Sequence, residues 1–313
     1  MSAASALLLF GCQNEDEPQA PEVQETPTAH RGCATDEVHQ RLLAEDPSLA
    51  LKMNEIEDLT QRAMDEGRLV NGKIQIPVVV NVLYRTTAEN LSLTRIQQQI
   101  DVLNKDFNAT NVEYNTVPAI FSARKANVGI SFVLNTVYRK YTSKTSWGTN
   151  NDMKKTAMGG LNPTSPSTKL NIWVCTIGGG ILGYAQFPGG PLATDGIVVD
   201  SRHFGLSGSA SYPYNLGRTT THEVGHWMNL RHIWGDAACG TDFVSDTPTH
   251  NSANYGAPAY PHYSTCAGTP VEMTMNYMDY TDDRAMYMFT NGQKSRINAI
   301  FASGGPRNSF AQP

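Results

Sequence analysis

Residues 221–232, THEVGHWMNLRH, constrain the fold of this chain more than any other stretch. On a helix, His222 and His226 stand one turn apart on the same face, so both imidazoles can reach one zinc ion. Glu223 lies about 100° round the helix from His222, where its carboxylate can approach a water molecule on that ion. His232 lies too far round a continuing helix to share the metal. The chain must therefore turn sharply, and we expect Asn229 to take the left-handed conformation that allows the turn.

This set of side chains is typical of a metal-dependent hydrolase. Zinc lowers the pKa of bound water to about 7, and the glutamate takes a proton as that water attacks a carbonyl carbon polarised by the metal. The HExxH pattern alone is short enough to occur by chance. The alternative is a buried amphipathic helix with ordinary surface histidines, and the third histidine disfavours it.

Charge is distributed unevenly along the chain. The 313 residues sum to −5, but residues 13–67 carry 14 Asp and Glu against 4 Lys and Arg, a sum of −10, whereas residues 68–313 sum to +5. The basic residues of the longer part are scattered, which argues against a nucleic-acid-binding protein. With 40% hydrophobic and 17% charged residues, the chain can bury a substantial core.

The N-terminal residues 3–10 are the one membrane-directed candidate, because no apolar run reaches the roughly 18 residues that span a bilayer. They lead into Gly11 and Cys12, which resemble a bacterial lipobox with Cys12 as the lipidated residue, although no Lys or Arg precedes them. An ordinary cleaved signal and a misassigned start are the alternatives. The acidic residues 13–17 look like the tract after the lipid cysteine in surface lipoproteins of the Bacteroidetes. We therefore expect an extracytoplasmic protein.

Hydrophobic periodicity predicts the order of the elements. Residues 13–30 are rich in Pro, Glu, Gln and Thr and are predicted to form a tether. A proline at position 77 indicates that the first strand lies at an edge or begins there. Residues 178–183, GGGILG, fit a dinucleotide-binding pattern, but the Pro and Gly residues of 188–191 leave no room for the helix it needs, so we expect an edge strand instead. The predicted helices are 35–45, 50–66, 92–108, 217–229 and 290–302, and the predicted strands begin near 73 and 130 and span 169–177, 181–187 and 196–202.

HEVGHWMNLRH resembles the extended HExxHxxGxxH motif of the metzincins, with Asn229 in place of the usual glycine. IWGD at 233–236, VSDTP at 244–248 and NYMDYTDD at 276–283 are similar to motifs of the pappalysin family, in its bacterial ulilysin-like and cytophagalysin-like branch. The resemblance covers about residues 70–302. It implies an α/β metzincin endopeptidase with a twisted, mostly parallel sheet and helices, followed by an irregular C-terminal half and a final helix.

The resemblance also assigns site residues. It implies that the three histidines bind zinc and that Glu223 acts as the general base. It implies a methionine turn beneath the metal and a supporting tyrosine two residues later, for which Met275 with Tyr277 and Met278 with Tyr280 both fit. The family pattern NYM-x-Y selects Met278 and Tyr280. The other methionines of this region are predicted to fill the core.

The five cysteines are assigned separate roles. Cys239 and Cys266 flank the loop after the histidine helix, and a bridge closing about 27 residues would contribute roughly 3–4 kcal/mol. Relatives usually have a second bridge nearby, whose ends would fall at Ala257 and Ala285. Cys175 lies in an apolar strand and is predicted to be a buried thiol.

Cys33, close to Arg31, resembles the cysteine switch that occupies the fourth zinc position in related proenzymes. An incidental unpaired cysteine is the alternative. We therefore predict a leader over 1–12, an acidic propeptide with tether and switch over 13–67, and a catalytic domain over 68–313.

Asp283 matches the acidic residue at the floor of the S1′ pocket in ulilysin-like members, where a buried carboxylate would favour Lys or Arg at P1′. A solvated loop aspartate is the alternative. If the pocket is built in this way, autolysis before Arg62 or Arg68 would release the propeptide.

The resemblance implies two further binding features. Substrate would lie extended beside Gly183, Tyr184 and Ala185 and add a strand to the sheet. A structural calcium ion would be held through oxygen ligands in the loop after the histidine helix. The calcium candidates are Asp242, Val244, Asp246 and Thr247.

The sequence favours a secreted or surface-anchored zinc endopeptidase, made as a latent monomeric zymogen, with peptides and its own propeptide as partners. One alternative is a zinc-containing surface lipoprotein that binds a host or polysaccharide partner. Structural zinc normally has four protein ligands, however, and only three are evident outside the predicted propeptide. The other alternative is a metal-dependent hydrolase of non-peptide substrates, which is disfavoured by analogy alone.

Overall fold

A computed structural model describes residues 1, 31–66, 74–206, 208 and 210–311. The leader, Cys12 and the predicted tether lie outside these residues. No helix of the described ranges has the length and apolar character needed to cross a membrane. The helices are α1 (Thr35–Glu45), α2 (Ser48–Asp65), α3 (Leu93–Phe107), α4 (Arg218–Trp227) and α5 (Asn291–Phe301). The strands are β1 (Ile74–Tyr84), β2 (Lys125–Ala126), β3 (Ile130–Tyr141), β4 (Leu170–Cys175), β5 (Gly183–Ala185), β6 (Ile197–Asp200) and β7 (Phe289–Thr290).

Five strands form one sheet in the order β3-β1-β4-β6-β5. The first four are parallel to one another, and β5 runs antiparallel to β6 at the edge. β2 and β7 pair as a separate two-stranded ribbon. The prediction of an α/β fold with a mostly parallel sheet is confirmed. The glycine-rich residues 178–182 lead into the edge strand β5 and form no helix, as expected.

The prediction that Pro77 marks an edge strand or a strand start is wrong, because β1 is an inner strand that begins at Ile74. Pro77 pairs with Val133 of β3, whereas the ladder to β4 begins at Val78. Pro77 therefore lies in the part of β1 that has a single neighbouring strand, where a missing N–H is tolerated.

Alternate residues of the strands bury themselves on opposite faces of the sheet. On one face, Ile172 and Val199 pack in the cluster that includes α3, α4 and α5. On the other face, Trp173 and Val198 pack in a cluster that includes Val38 and other side chains of α1 and α2. These two N-terminal helices, separated by only two residues, are thus part of the packed molecule.

Candidate metal centre

Helix α4 and the turn after it bring three imidazoles together. α4 ends at Trp227, and Asn229 has a φ of 71°, the left-handed conformation expected from the histidine spacing. The turn returns His232 to the helix face. The Nε2 atom of His226 lies 3.1 Å from Nε2 of His222 and 3.0 Å from Nε2 of His232.

The opposite nitrogen of each ring has an oxygen partner. Nδ1 of His222 lies 2.7 Å from the carbonyl oxygen of Tyr277, and Nδ1 of His226 lies 2.8 Å from that of Leu230. Nδ1 of His232 pairs with the carboxylate of Asp236. These acceptors make Nδ1 the protonated nitrogen and leave the Nε2 lone pairs to converge. Burial lowers the pKa of His222 and His226 well below the usual value, which favours the neutral, metal-binding form.

Cys33 completes this cluster. Among the described residues, the ligand atoms of Cys33, His222, His226 and His232 lie within 4.8 Å of one another. Three imidazole nitrogens and one thiolate are a donor set that zinc binds tetrahedrally. The residues therefore fit the zinc ion that the resemblance implies.

Glu223 lies between α4 and the edge strand. Its Oε2 accepts a hydrogen bond from Thr35 Oγ1 at 3.1 Å and lies 3.5 Å from Cys33 Sγ. Burial raises the pKa of Glu223 to about 8. A Cβ atom at Gly183 would lie 2.9 Å from Cγ of Glu223, so glycine at this position allows the carboxylate to lie against β5.

The geometry favours the methionine-turn register of Met278 with Tyr280. A Cβ atom at Gly225 would lie 2.5 Å from Sδ of Met278, so this glycine lets Met278 pack directly beneath α4. The Tyr280 ring lies 4.9 Å from that of His232, and its hydroxyl donates to the carbonyl oxygen of Cys33 at 3.2 Å. The hydroxyl of Tyr277 is instead buried without a hydrogen-bond partner in the described part of the chain.

Asp283 is only 1% exposed and is paired with Arg31, so it is not a solvated loop residue. Its Oδ1 accepts from Nη2 of Arg31 at 2.5 Å, and its Oδ2 accepts from the backbone nitrogens of Leu216 and Arg218 at 2.7 and 3.2 Å. The guanidinium lies 4.7 Å from the ring centre of Tyr214. The sequence did not predict that Arg31 pairs with Asp283.

The segment after Arg31 lies along β5. The backbone nitrogen of Leu182 donates to the carbonyl oxygen of Gly32 at 2.8 Å, and that of Ala34 donates to Gly183 at 3.1 Å. The backbone nitrogen of Ala185 donates to Thr35 Oγ1 at 2.8 Å. Of the three predicted substrate-binding residues, Gly183 and Ala185 thus face this segment.

Tyr184 faces elsewhere. Its side chain is buried in the core, and its hydroxyl donates to Asn151 at 3.2 Å.

Helix α2 makes a second attachment that sequence reasoning did not find. Both oxygens of Glu57 accept hydrogen bonds from Arg296 of α5, at 2.6 and 2.5 Å. Nε of Arg296 donates to the carbonyl oxygen of Asn229 at 2.8 Å, and Nδ2 of Asn229 donates to Thr60 at 3.4 Å. The N-terminal segment therefore also holds the turn that positions His232.

The remaining cysteines have separate environments. Cys239 and Cys266 form a disulfide with a Cα separation of 5.8 Å, and Cys175 is a buried free thiol. The other methionines predicted to fill the core, Met273, Met275, Met286 and Met288, are buried.

The calcium candidates bond to protein donors. Asp242 accepts hydrogen bonds from the Thr247 hydroxyl at 3.0 Å and from the backbone nitrogen of Val244 at 3.1 Å. Asp246 accepts from the Thr290 hydroxyl at 2.7 Å and from the backbone nitrogen of Gly292 at 2.9 Å, at the start of α5. Burial raises the pKa of Asp242 to about 7. A calcium site here stays a prediction.

Known proteins share both the sequence and the fold of this chain. A family model described as pregnancy-associated plasma protein-A, Peptidase_M43, matches residues 182–302. An extracellular metalloprotease of Verticillium alfalfae is 32% identical over 240 residues, which are 72% of this chain and 78% of that protein.

Two solved structures from Tannerella forsythia are similar along most of their length. Mature mirolysin in complex with a cleaved peptide has a TM-score of 0.75 and 41% identity, over 77% of this chain and 97% of its own. A promirolysin variant has a TM-score of 0.81 and 38% identity, over 90% of this chain and 97% of its own. The family resemblance and the metzincin-type fold are thereby confirmed. With its histidine-rich centre and this extent of similarity, the chain belongs to the pappalysin family of zinc metalloendopeptidases.

Proposed function

We propose that this chain is the latent form of an endopeptidase, in which residues 13–67 are a propeptide and residues 68–313 the catalytic domain. One observation carries the proposal: Cys33 lies at the three histidines while Arg31, two residues earlier, fills the pocket of Asp283. Both groups that would bind substrate are covered by one short segment. The greater share of this chain covered by promirolysin than by mature mirolysin supports the same division.

His222, His226 and His232 would hold zinc, and Cys33 would fill the fourth position in the latent form. When bound, zinc supplies a Lewis acid that polarises a carbonyl and lowers the pKa of a water molecule. Glu223 would act as the general base that takes the proton of the attacking water and then gives it to the leaving amine. Its position beside β5 supports this role, because the same edge would hold the substrate backbone.

Tyr280 would stabilise the oxyanion that develops on the substrate carbonyl. Its hydroxyl already donates to a peptide carbonyl, that of Cys33, in the latent chain. The backbone groups of Leu182 and Gly183 that bond Gly32 and Ala34 would become available to an extended substrate once the propeptide has left.

Asp283 would select Lys or Arg at P1′. Arg31 supports this assignment because its basic side chain pairs with the Asp283 carboxylate. Arg62 lies inside α2, so cleavage before it would require the end of that helix to open. Cleavage before Arg68 is the simpler maturation step, although that bond lies outside the described residues.

The names of the fungal relatives, extracellular metalloproteases, support a secreted protein. A lipid on Cys12 would anchor the precursor to a bacterial surface, and removal of residues 13–67 would free the enzyme from it. The monomeric state stays a prediction.

A peptide-library experiment tests this function. The matured protein and its Glu223→Ala variant are incubated with the library with and without a chelator, and the products are identified by mass spectrometry. We expect cleavage before Lys and Arg, lost in the variant and with chelator. Equal inactivity of both proteins, with zinc bound, would favour the binding lipoprotein instead.

An Asp283→Asn variant provides the specificity control. It should lose most of its preference for Lys and Arg while it keeps zinc. A parent enzyme with no basic P1′ preference would contradict the role of Asp283.

A further inference from the structure

A guanidinium that forms no ion pair with any described residue lies beside the metal centre. Arg231 precedes His232, and its guanidinium lies 5.6 Å from the ring centre of Phe187 and 5.4 Å from that of Phe243. It makes no hydrogen bond or ion pair to any residue of the described ranges, and its Nε atom is buried without a partner. The Phe187 ring in turn lies 5.6 Å from that of His226. Arg231 therefore lies near a ring, Phe187, that itself lies near His226.

The propeptide shows on which side of the centre Arg231 lies. Arg31 precedes Cys33 and enters the pocket of Asp283, whereas His39 follows Cys33 and packs on Phe187 at 5.2 Å. Arg231 and Asp283 therefore lie on opposite sides of the metal centre. Because we assign Asp283 to P1′, Arg231 faces substrate residues on the N-terminal side of the scissile bond.

A second guanidinium adjoins the first and is neutralised by the propeptide. Arg296 lies 5.7 Å from the ring centre of Phe243, and its two terminal nitrogens bind the carboxylate of Glu57. The side chain of Arg296 is 1% exposed beneath this contact. Among the described residues, removal of the propeptide would leave Arg296 with one hydrogen-bond acceptor, the carbonyl oxygen of Asn229.

The acidic groups near this pair come from both the propeptide and the catalytic domain. Three carboxylates act on Arg231 by charge: Glu57, Asp236 and Asp36. Glu57 and Asp36 belong to the propeptide, and Asp236 is engaged with Nδ1 of His232. A fourth carboxylate, Asp242 of the catalytic domain, acts on Arg296 by charge and is engaged with Thr247 and Val244. The mature catalytic domain would thus present two neighbouring guanidinium groups that have lost Glu57 and Asp36, two of the four carboxylates near them.

We propose that Arg231 and Arg296 form an anion-binding subsite that takes an Asp or Glu side chain of the substrate on the N-terminal side of the scissile bond. Glu57 occupies this subsite in the latent chain, as Arg31 occupies the pocket of Asp283. The inference rests on the proposed peptidase function. Guanidinium groups hold a carboxylate through charge-assisted hydrogen bonds, and both of these groups lie near the Phe243 ring.

The test uses the matured enzyme and quenched fluorescent peptides with Arg at P1′. Peptide pairs carry Glu or Gln at P2, P3 or P4, and kcat/KM is measured for each pair. We expect one position at which the Glu peptide is cleaved on the order of tenfold faster, with a ratio that falls as salt is raised. In Arg231→Met the ratio should fall towards one, and in Arg231→Lys it should be partly kept. Arg85→Met, a matched charge loss at an exposed site after β1, should keep the parent ratio.

Zinc content and melting temperature are measured for each variant, so that a misfolded protein is recognised. If Arg231→Met is misfolded, the ratio measured for Arg231→Lys is used to test the subsite. A parent enzyme that cleaves the Glu and Gln peptides equally at all three positions would overturn the subsite while leaving the peptidase function intact. An Arg231→Met enzyme that keeps the parent ratio would overturn it too. Failure of the peptidase function itself would appear as no cleavage of any peptide by the parent.

Discussion

The guanidinium of Arg31 and the carboxylate of Asp283 form an ion pair whose side chains are 1% and 0% exposed. The two residues are 252 positions apart in the sequence. Their contact joins the proposed propeptide to the proposed specificity pocket.

Arg31→Ala should weaken latency. Removing one partner of a buried pair costs about 3–5 kcal/mol, because the other charge stays buried without compensation. We expect the purified full-length protein to develop peptidase activity at least about tenfold faster than the parent. Lys52→Ala removes a positive charge from an exposed position of α2 and serves as the control. Equal activation rates for all three proteins would contradict the anchoring role of Arg31.

Cys33→Ser should make the full-length chain active before any cleavage. A hydroxyl is a much poorer zinc ligand than a thiolate, so the fourth position would open to water and substrate. Activity is measured on freshly purified protein whose intact length is checked by mass spectrometry. Cys175→Ala, which changes a buried thiol outside the cluster, should stay latent. A serine variant as latent as the parent would exclude the switch.

Tyr280→Phe should lower kcat by about 100-fold or more while the zinc content stays at one ion per chain, because one oxyanion donor is lost. Tyr277→Phe removes a buried hydroxyl that has no partner in the described residues and should change kcat little. Zinc is counted by elemental analysis. The opposite order of effects would assign the supporting tyrosine to Tyr277 and the methionine turn to Met275.

Lys154 should make stability depend on pH. Its Nζ donates to the carbonyl oxygen of Thr194 at 2.7 Å, and burial lowers its pKa from 10.5 to about 7. Between these two values the unfolded chain holds a proton that the folded chain has released, so stability rises with pH through this window. Below about pH 7 both states are protonated and the contribution is constant.

The measurement compares Lys154→Met with its parent, both in the inactive Glu223→Ala background. The difference in melting temperature between parent and variant is taken at pH 7 and pH 9.5. We expect the melting temperature of the parent, relative to that of the variant, to be higher at the higher pH. A difference that is independent of pH would show that the Lys154 ammonium is not destabilised by burial.

Local chemistry determined which parts of the site could be predicted from the sequence. The histidine helix and the positive φ of Asn229 could be predicted from one short stretch of sequence. Helix periodicity places His222 and His226 on one face, and the chain must then turn sharply to bring His232 back to that face. The sheet and its edge strand follow from strand periodicity. The prediction from Pro77 was wrong because it treated the strand as a whole. Only the part of β1 from Val78 onward has a neighbouring strand on both sides.

The contacts of the propeptide could not be predicted in the same way. Thr35 reaches Glu223 across 188 positions, and Glu57 reaches Arg296 across 239. Neither contact leaves a local pattern, since each depends on how the folded segment crosses the domain. Arg31, two residues before Cys33, was the one sequence feature that pointed to the contact with Asp283. Its partner could not be identified without knowing where Asp283 lies in the fold.

The two-residue connection between α1 and α2 would make the proposed propeptide a multivalent inhibitor. Arg31, Cys33 and Glu57 contact three separate places on the domain, and each is presented at a high effective concentration while the others are bound. A cut before residue 68 would leave these three contacts in place but turn the segment into a diffusible ligand, whose release then depends on dilution. A second cut between α1 and α2 would separate the contacts and remove the avidity. Activation should accordingly be slow and concentration-dependent after one cut and rapid after two.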